Sequence, residues 1–184
     1  MQIKKISYLD LPSDYLPLRK KILSMMDEIC FSGEHVPGKY IEILEKKISK
    51  FLKVKYCATL NSGTDALMFA LHVLNFKRGD EIITTPNTWY STVAAITHLG
   101  LVPKFIDVKS DHNMDENLME KNINKKTKGI IGVHLNGRML NVKKINSICK
   151  KHKIKFIEDA AHLANVEQPE KFTKLVLDFF GTLQ

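Results

Sequence analysis

Cysteine is scarce in this sequence, and long apolar runs are absent from it. The 184 residues include three cysteines, Cys30, Cys57 and Cys149, without a CxxC pair, so neither a disulfide framework nor a zinc site is predicted. No apolar run reaches the roughly 18–20 residues that cross a bilayer, and the first residues lack the apolar core of a secretory signal. We therefore expect a cytoplasmic protein without a membrane segment or a metal, in which Cys57 and Cys149 are buried thiols.

Acidic residues are absent from the stretch between Lys121 and Lys155, which contains ten lysines and Arg138. A basic block of this kind can bind nucleic acid or a phosphorylated ligand. Here the lysines flank apolar positions, as in VKKINSICKKHKIKF, and no aromatic residues are interleaved with them. The pattern favours a solvated helix face over a nucleic-acid surface, so no nucleic-acid partner is expected.

Short apolar runs alternate with helical patterns from residue 55 onward. The length and the 44% hydrophobic content suit one domain with a hydrophobic core rather than two complete domains. The predicted strands are KYCATL, EIITT, VPKFIDV, GIIGVHL and KIKFIED, and the predicted helices cover residues 17–30, 39–52, 64–75, 89–98, 115–123 and 142–152. This alternation predicts a three-layer α/β fold, with a mainly parallel sheet and helical crossovers. Ligands of such sheets bind beyond the carboxyl ends of the strands.

The segment Asn61–Asp65 (NSGTD) joins a predicted strand to a predicted helix. Gly63 lets the backbone approach a ligand closely, and the unpaired N–H groups of a helix start carry a partial positive charge that suits a phosphate. Thr64 adds a hydroxyl. A plain helix cap supplied by Asn61 or Ser62 explains these residues equally well.

The single tryptophan of the sequence, Trp89, lies in the turn Pro86–Tyr90 that follows a predicted strand. An indole on the ligand side of the sheet can stack on a planar ring. A core tryptophan that covers the sheet is the simpler explanation of this residue on its own.

The last predicted strand leads directly into two acids, Glu158 and Asp159, and then into two alanines. A carboxylate at the end of a buried strand needs a cationic or hydrogen-bonding partner, and a protonated pyridine nitrogen is such a partner. An aspartate that caps the next helix is the alternative.

Together these three constellations carry a resemblance to a known family. The runs NSGTDALMFALHVLNFKRGDEIITTPNTWYSTVAAITHLGLVPKFIDV and KTKGIIGVHLNGRMLNVKKINSICKKHKIKFIEDAAH resemble the DegT-type nucleotide-sugar aminotransferases, which depend on pyridoxal 5'-phosphate (PLP). The resemblance covers roughly residues 30–162. It implies that residues 1–162 are the N-terminal part of the large domain of a fold-type I PLP-dependent transferase, incomplete in this sequence, and that residues 163–184 are a divergent tail.

The resemblance implies that six residues bind the cofactor. They are Gly63, Thr64, Asp65, Trp89, Asp159 and His162. The first three match the segment that holds the phosphate, and the tryptophan matches the aromatic residue that stacks on the pyridine ring. The aspartate matches the acid paired with the pyridine nitrogen, and the histidine matches a position beside the phenolic oxygen. The implied reaction moves an amino group from an amino acid, usually glutamate, to a nucleotide-linked keto-sugar, and the implied assembly is a homodimer with its site at the interface.

The resemblance ends after His162. The lysine with which the family forms a Schiff base to the cofactor would fall just beyond Gln184, and Lys171 and Lys174 stand at the wrong distance from Asp159. We therefore predict no catalytic residue in this chain, and a truncation or frameshift that leaves the chain inactive by itself. The alternative is a non-catalytic fragment that binds PLP or a partner subunit.

Overall fold

The computed structural model describes residues 10–36 and 38–160. These residues divide into two compact units, one before and one after the boundary between Thr59 and Leu60. The predicted tail over residues 163–184 lies outside the described residues, as does His162.

The first unit is helical. Its elements are α1 (Leu11–Tyr15), a 3-10 turn (Leu16–Leu18), α2 (Arg19–Ser32) and α3 (Lys39–Leu52). The bounds of α3 are those predicted from its apolar periodicity. Helix α2 ends at Gly33, whose φ of 71° places it in the left-handed region that glycine adopts without strain.

The prediction of a strand at KYCATL is wrong, because residues 55–60 form no strand. The backbone N–H of Thr59 donates instead to the Glu45 carboxylate on α3 at 2.8 Å, and the Thr59 hydroxyl donates to the same oxygen at 3.0 Å. A side chain therefore takes the donor that a sheet would have used. Cys57 is only half-buried, whereas it was expected to be buried.

The second unit is a parallel sheet with helices between its strands. Its elements are α4 (Gly63–Val73), β1 (Glu81–Thr84), α5 (Tyr90–His98), β2 (Val102–Phe105), α6 (Glu116–Asn122), β3 (Thr127–His134), α7 (Val142–His152) and β4 (Lys155–Ala160). The strand order is β2-β1-β3-β4, and all three pairings are parallel. Apart from KYCATL, each predicted strand and helix is present with its ends shifted by a few residues at most.

The two central strands, β1 and β3, are buried on both faces of the sheet, which confirms the three-layer α/β architecture. One core contains Ile82 and Ile131 of the sheet with residues of α4 and α5. The other contains Ile83 and Ile130 with residues of α6 and α7. Neighbouring residues of one strand therefore enter opposite cores, as the two-residue repeat of a strand requires.

The strand order reverses between β1 and β3. The chain leaves β1 through α5 on one face of the sheet, and it leaves β3 through α7 on the other face. The segments that follow these neighbouring strands diverge and leave a crevice beyond their carboxyl ends, which is where open α/β sheets bind ligands.

The lysine-rich stretch forms the solvated helix face that its pattern predicted. Helix α7 buries Ile145, Ile148 and Cys149, while its lysines are exposed. Lys151 and His152 donate to Glu120 on α6, and these bonds lower the pKa of Glu120 to about 2. Burial raises the pKa of the Cys149 thiol to about 11.

Glu116, at the start of α6, is a buried carboxylate with two partners. It accepts a hydrogen bond from the Lys109 ammonium at 2.9 Å and one from the backbone N–H of Asn141 at 2.9 Å. Burial alone would raise the pKa of Glu116, but the bonds from Asn141 and Lys109 outweigh burial and lower it. The carboxylate thereby ties α6 to the start of α7.

The variant Glu116→Gln should lower the free energy of unfolding by about 2 kcal/mol at pH 7, because Lys109 loses its closer charged partner and keeps only Asp111 at 3.8 Å. Since the folded pKa lies below the ordinary value of 4.5, the stabilisation is present above that value and is lost as pH falls through the folded pKa. Urea unfolding at pH 7 and pH 3 should show the difference from the parent shrinking at pH 3. The exposed Glu42→Gln variant, which breaks a surface pair with Lys46, should change little. An unchanged difference at the two pH values would contradict this account.

Candidate functional site

A cavity of about 620 Å³ opens at the crevice between the strand ends, within the size range of small-molecule sites. The segment before α4, the start of α4, the segments that follow β1 and β3, and the end of β4 all contribute to it. It is lined by Ser62, Gly63, Thr64, Leu67, Asn87, Thr88, Trp89, Ser91, Thr92, Val133, Leu135, Asn136, Asp159 and Ala160. The structure thus brings together three predicted constellations that are far apart in the sequence.

The start of α4 forms one wall of the cavity. Ser62 is the N-cap, and its hydroxyl accepts the backbone N–H of Asp65 at 3.1 Å, so the capping interpretation is confirmed for Ser62. The amides of Gly63 and Thr64 precede the first intrahelical bond, which runs from the Ala66 N–H to the Ser62 carbonyl. Apart from its chain neighbours and the backbone of its own helix, a methyl group placed on Gly63 would meet no atom of the described residues within 4 Å. With respect to the described residues, the helix start therefore offers both unpaired donors and open space to an anion.

Trp89 is the N-cap residue of α5, and its side chain is 62% exposed. The interpretation of a core tryptophan is wrong, because the indole lies at the cavity instead of between helix and sheet. An exposed, flat indole in a crevice provides a stacking surface for a planar ring.

Asp159 lies near the end of β4 and accepts a hydrogen bond from the Thr92 hydroxyl of α5 at 2.9 Å. Thr92 is 1% exposed, and its hydroxyl is in turn 3.0 Å from the Thr88 hydroxyl. Asp159 is a residue of strand β4; a helix that it could cap would begin outside the described residues, so that alternative stays a prediction. The bond from Thr92 holds the carboxylate at the cavity.

Four of the six predicted cofactor residues line the cavity: Gly63, Thr64, Trp89 and Asp159. Asp65 is not among the lining residues; its amide completes the cap of α4, and its contact with a cofactor stays a prediction. His162 lies outside the described residues.

Sequence reasoning did not single out Asn87, Ser91, Thr92 and Asn136, which also line the cavity. Ser91 accepts a hydrogen bond from the Thr64 hydroxyl at 2.8 Å and so joins α5 to the start of α4. The two asparagines follow β1 and β3, a position that marks them as candidates, but small polar residues are common in turns and carry no chemistry of their own.

No cluster of three or more histidine, cysteine or acidic side chains that could hold a metal is found among residues 10–36 and 38–160. In the same residues, no helix has the length and apolar character needed to span a membrane.

Residues 17–171 match the model of the DegT/DnrJ/EryC1/StrS aminotransferase family. The chain belongs to this family. The DegT-type resemblance noted in the sequence is confirmed, and the parallel sheet with helical crossovers is the part of the family fold that these residues supply.

The chain is similar to several DegT/DnrJ/EryC1/StrS proteins over part of their length. It is 35% identical to the "pleiotropic regulatory protein" of Geobacillus stearothermophilus, over 85% of this chain and 42% of the relative. It is 33% identical to UDP-2-acetamido-2-deoxy-3-oxo-D-glucuronate aminotransferase of Pseudomonas aeruginosa, over 85% of this chain and 44% of the relative. The crystal structure of NtdA from Bacillus subtilis, with the bound cofactor PMP, superposes with a TM-score of 0.81 at 30% identity, over 90% of this chain and 40% of that one. The chain thus spans about two fifths of the length of these proteins.

The Thr92→Val variant should lower the free energy of unfolding by about 1–2 kcal/mol, because it leaves Asp159 and Thr88 without a buried hydroxyl partner. Thr92→Ser keeps the hydroxyl and should recover most of the loss. Thr97→Val, on the exposed side of the same helix, removes only bonds to backbone carbonyls and should have little effect. Urea unfolding followed by circular dichroism compares the three variants. Equal stabilities of the valine and serine variants at position 92 would contradict the importance of this bond.

Proposed function

We propose that the cavity is the PLP site of an aminotransferase. The observation that supports this most directly is the convergence of a helix start, an exposed indole and a carboxylate on one cavity. These groups suit the three chemically distinct parts of the cofactor, which are its phosphate, its aromatic ring and its ring nitrogen.

The residues present fit the cofactor at each of these points. The open space beside Gly63 and the amides of Gly63 and Thr64, which have no partner among the described residues, accommodate a phosphate. The hydroxyl of Thr64 donates to Ser91 and so holds this helix start against α5. The indole of Trp89 stacks on the ring. The carboxylate of Asp159, oriented by Thr92, would accept a hydrogen bond from the protonated ring nitrogen and stabilise its positive charge. The chemistry that the cofactor supplies when bound is an electron sink for the exchange of an amino group.

For the whole protein, we propose transfer of an amino group from an amino acid, with glutamate as the donor, to a keto-sugar carried on a nucleotide. Membership of an aminotransferase family supports the reaction type, and the Pseudomonas aeruginosa relative acts on a UDP-linked sugar. For the 184-residue chain by itself, we expect cofactor binding without turnover, since no residue of the sequence matches the family's Schiff-base lysine. The alternative, a fragment that binds PLP or a partner subunit without catalysis, makes the same prediction for the isolated chain.

Binding is best tested with pyridoxamine 5'-phosphate, because its amine cannot form imines with the many surface lysines. Trp89 is the only tryptophan in the sequence, so its fluorescence reports directly on the cavity. We expect saturable quenching by pyridoxamine phosphate and at least tenfold weaker binding of pyridoxamine, which lacks the phosphate. Asp159→Asn keeps an acceptor for Thr92 but loses the charge, and should raise the Kd about tenfold or more. The neighbouring Glu158→Gln variant, whose acid bonds to His134 instead, should bind like the parent.

Gly63→Ala gives a second arm of the same titration. The added methyl clashes with none of the described residues, so the variant should be as stable as the parent. If a phosphate lies against this backbone, the methyl should nevertheless raise the Kd severalfold. Equal affinities of the parent for pyridoxamine and its phosphate, or equal affinities of the parent and Asp159→Asn, would overturn the proposed site.

The expected inactivity of the chain is tested separately. The chain is treated with PLP and then with borohydride, and its peptides are analysed by mass. A single specifically labelled lysine would contradict the expected inactivity.

We propose further that the protein assembles as a homodimer. In support, α4 carries large apolar side chains on its outer surface, with Phe69 and Val73 55% and 75% exposed. Residues four apart share a helix face, so these two form one apolar stripe that a partner would cover. Sedimentation equilibrium should give a dimer mass for the parent and a lower association constant for Phe69→Ser. A monomer at all concentrations would contradict the proposal.

A further inference from the structure

A short loop that does not line the cavity connects two of its walls. The segment between β2 and α6 forms a small hairpin, closed by a bridge between Val108 and Met114 and by a bond from the Lys109 N–H to the Asn113 carbonyl at 2.8 Å. None of its residues is among those that line the cavity. Its tip, Asp111–Asn113, nevertheless contacts the segments that follow β1 and β3.

The first contact reaches the wall after β1. The side-chain amide of Asn87, a lining residue, donates to the carbonyl of His112 at 3.1 Å. His112 has a φ of 68°, in the left-handed region that non-glycine residues adopt at a cost. The tip therefore holds a strained backbone conformation at the point where it meets this wall.

The second set of contacts reaches the turn Leu135–Gly137 after β3. The side chain of Asn113, which is 1% exposed, accepts the Leu135 N–H at 3.1 Å and donates to the Arg138 carbonyl at 3.0 Å. The Arg138 guanidinium returns a bond to the Asp111 carbonyl at 3.0 Å. One buried amide thus bonds to the backbone on both sides of the turn.

The turn that Asn113 bridges presents Asn136 to the cavity. Asn136 has a φ of 51°, and Gly137 follows with a φ of 77°, so two consecutive residues are left-handed. The amide of Asn136 lines the cavity and has no hydrogen-bond partner among the residues that the structure describes. In the proposed function, the parts of the cofactor assigned above are matched by other residues, so this amide is available to a further polar group of a ligand.

We propose that Asn113 is a positioning residue, which holds the Leu135–Gly137 turn in its left-handed conformation so that Asn136 is presented to the ligand of the cavity. The functional half of this inference rests on the proposed function. Asparagine suits the position because the turn offers both a donor and an acceptor, and only an amide side chain of this length satisfies both. Aspartate would keep the bond from Leu135 but face the Arg138 carbonyl with a second acceptor, and leucine would satisfy neither group.

Hydrogen exchange of the unliganded chain tests the brace without any ligand. Asn113→Asp should accelerate exchange of the amides of residues 135–140 by about tenfold, the effect of losing one buried hydrogen bond. Residues 155–160 of the neighbouring strand should be unaffected. The matched control is Thr127→Val, which removes a buried hydroxyl at the opposite end of β3, where it accepts the Asn124 N–H and donates to Glu81. Exchange in residues 135–140 that is the same in Asn113→Asp and Thr127→Val would overturn the brace.

Titration with pyridoxamine 5'-phosphate, followed by Trp89 fluorescence, tests the consequence for the site. Asn113→Asp should raise the Kd at least threefold, and Thr127→Val should bind like the parent although it is less stable. Asn136→Gly keeps the left-handed turn but removes the side-chain amide, and it should also raise the Kd. If Asn113→Asp does not fold, the Kd of Asn136→Gly decides whether the presented amide contributes to binding. Kd values of Asn113→Asp and Asn136→Gly that both lie within twofold of the parent's value would overturn the positioning role. Failure of the parent to bind would instead overturn the proposed function, and the exchange experiment would still decide the brace.

Discussion

Ile82, Ile83, Ile130 and Ile131 have no solvent-exposed surface, and adjacent members of each pair enter opposite cores. A parallel sheet whose central strands are apolar on both faces is stable only when helices cover both faces. The chain meets this requirement by crossing from β1 on one side of the sheet and from β3 on the other. The divergence of these two crossovers opens the crevice, so the position of the cavity follows from the burial of four isoleucines.

The polar groups of the cavity are held by contacts between elements that are distant in sequence. The Thr92 hydroxyl joins α5 to Asp159 of β4, and the Thr64 hydroxyl joins the start of α4 to Ser91 of α5. A third connection runs from Asn113 to the turn after β3. Each wall of the cavity is therefore supported by a hydrogen bond from another element, which is how a site keeps its geometry before a ligand arrives.

Much of the candidate site could be predicted from residues at the ends of apolar runs. Gly63, Thr64, Trp89 and Asp159 line the cavity as the sequence suggested. Asn113 was beyond such reasoning, because an asparagine between a strand and a helix is most simply a turn residue. Its burial at 1% exposure, and its bonds to a turn more than twenty residues away, arise only when β2 and β3 pack on either side of β1.

The sequence by itself determined the helices and strands of the second unit, because apolar periodicity reports directly on which faces are buried. It also determined the family, through motifs at the strand ends. Tertiary structure decided that KYCATL is not a strand. A strand requires a neighbouring strand as its hydrogen-bond partner, and the Thr59 N–H donates to the Glu45 carboxylate instead. Tertiary structure also decided the order β2-β1-β3-β4. Local patterns do not encode that order, because pairing between strands depends on contacts between residues that are distant in the chain.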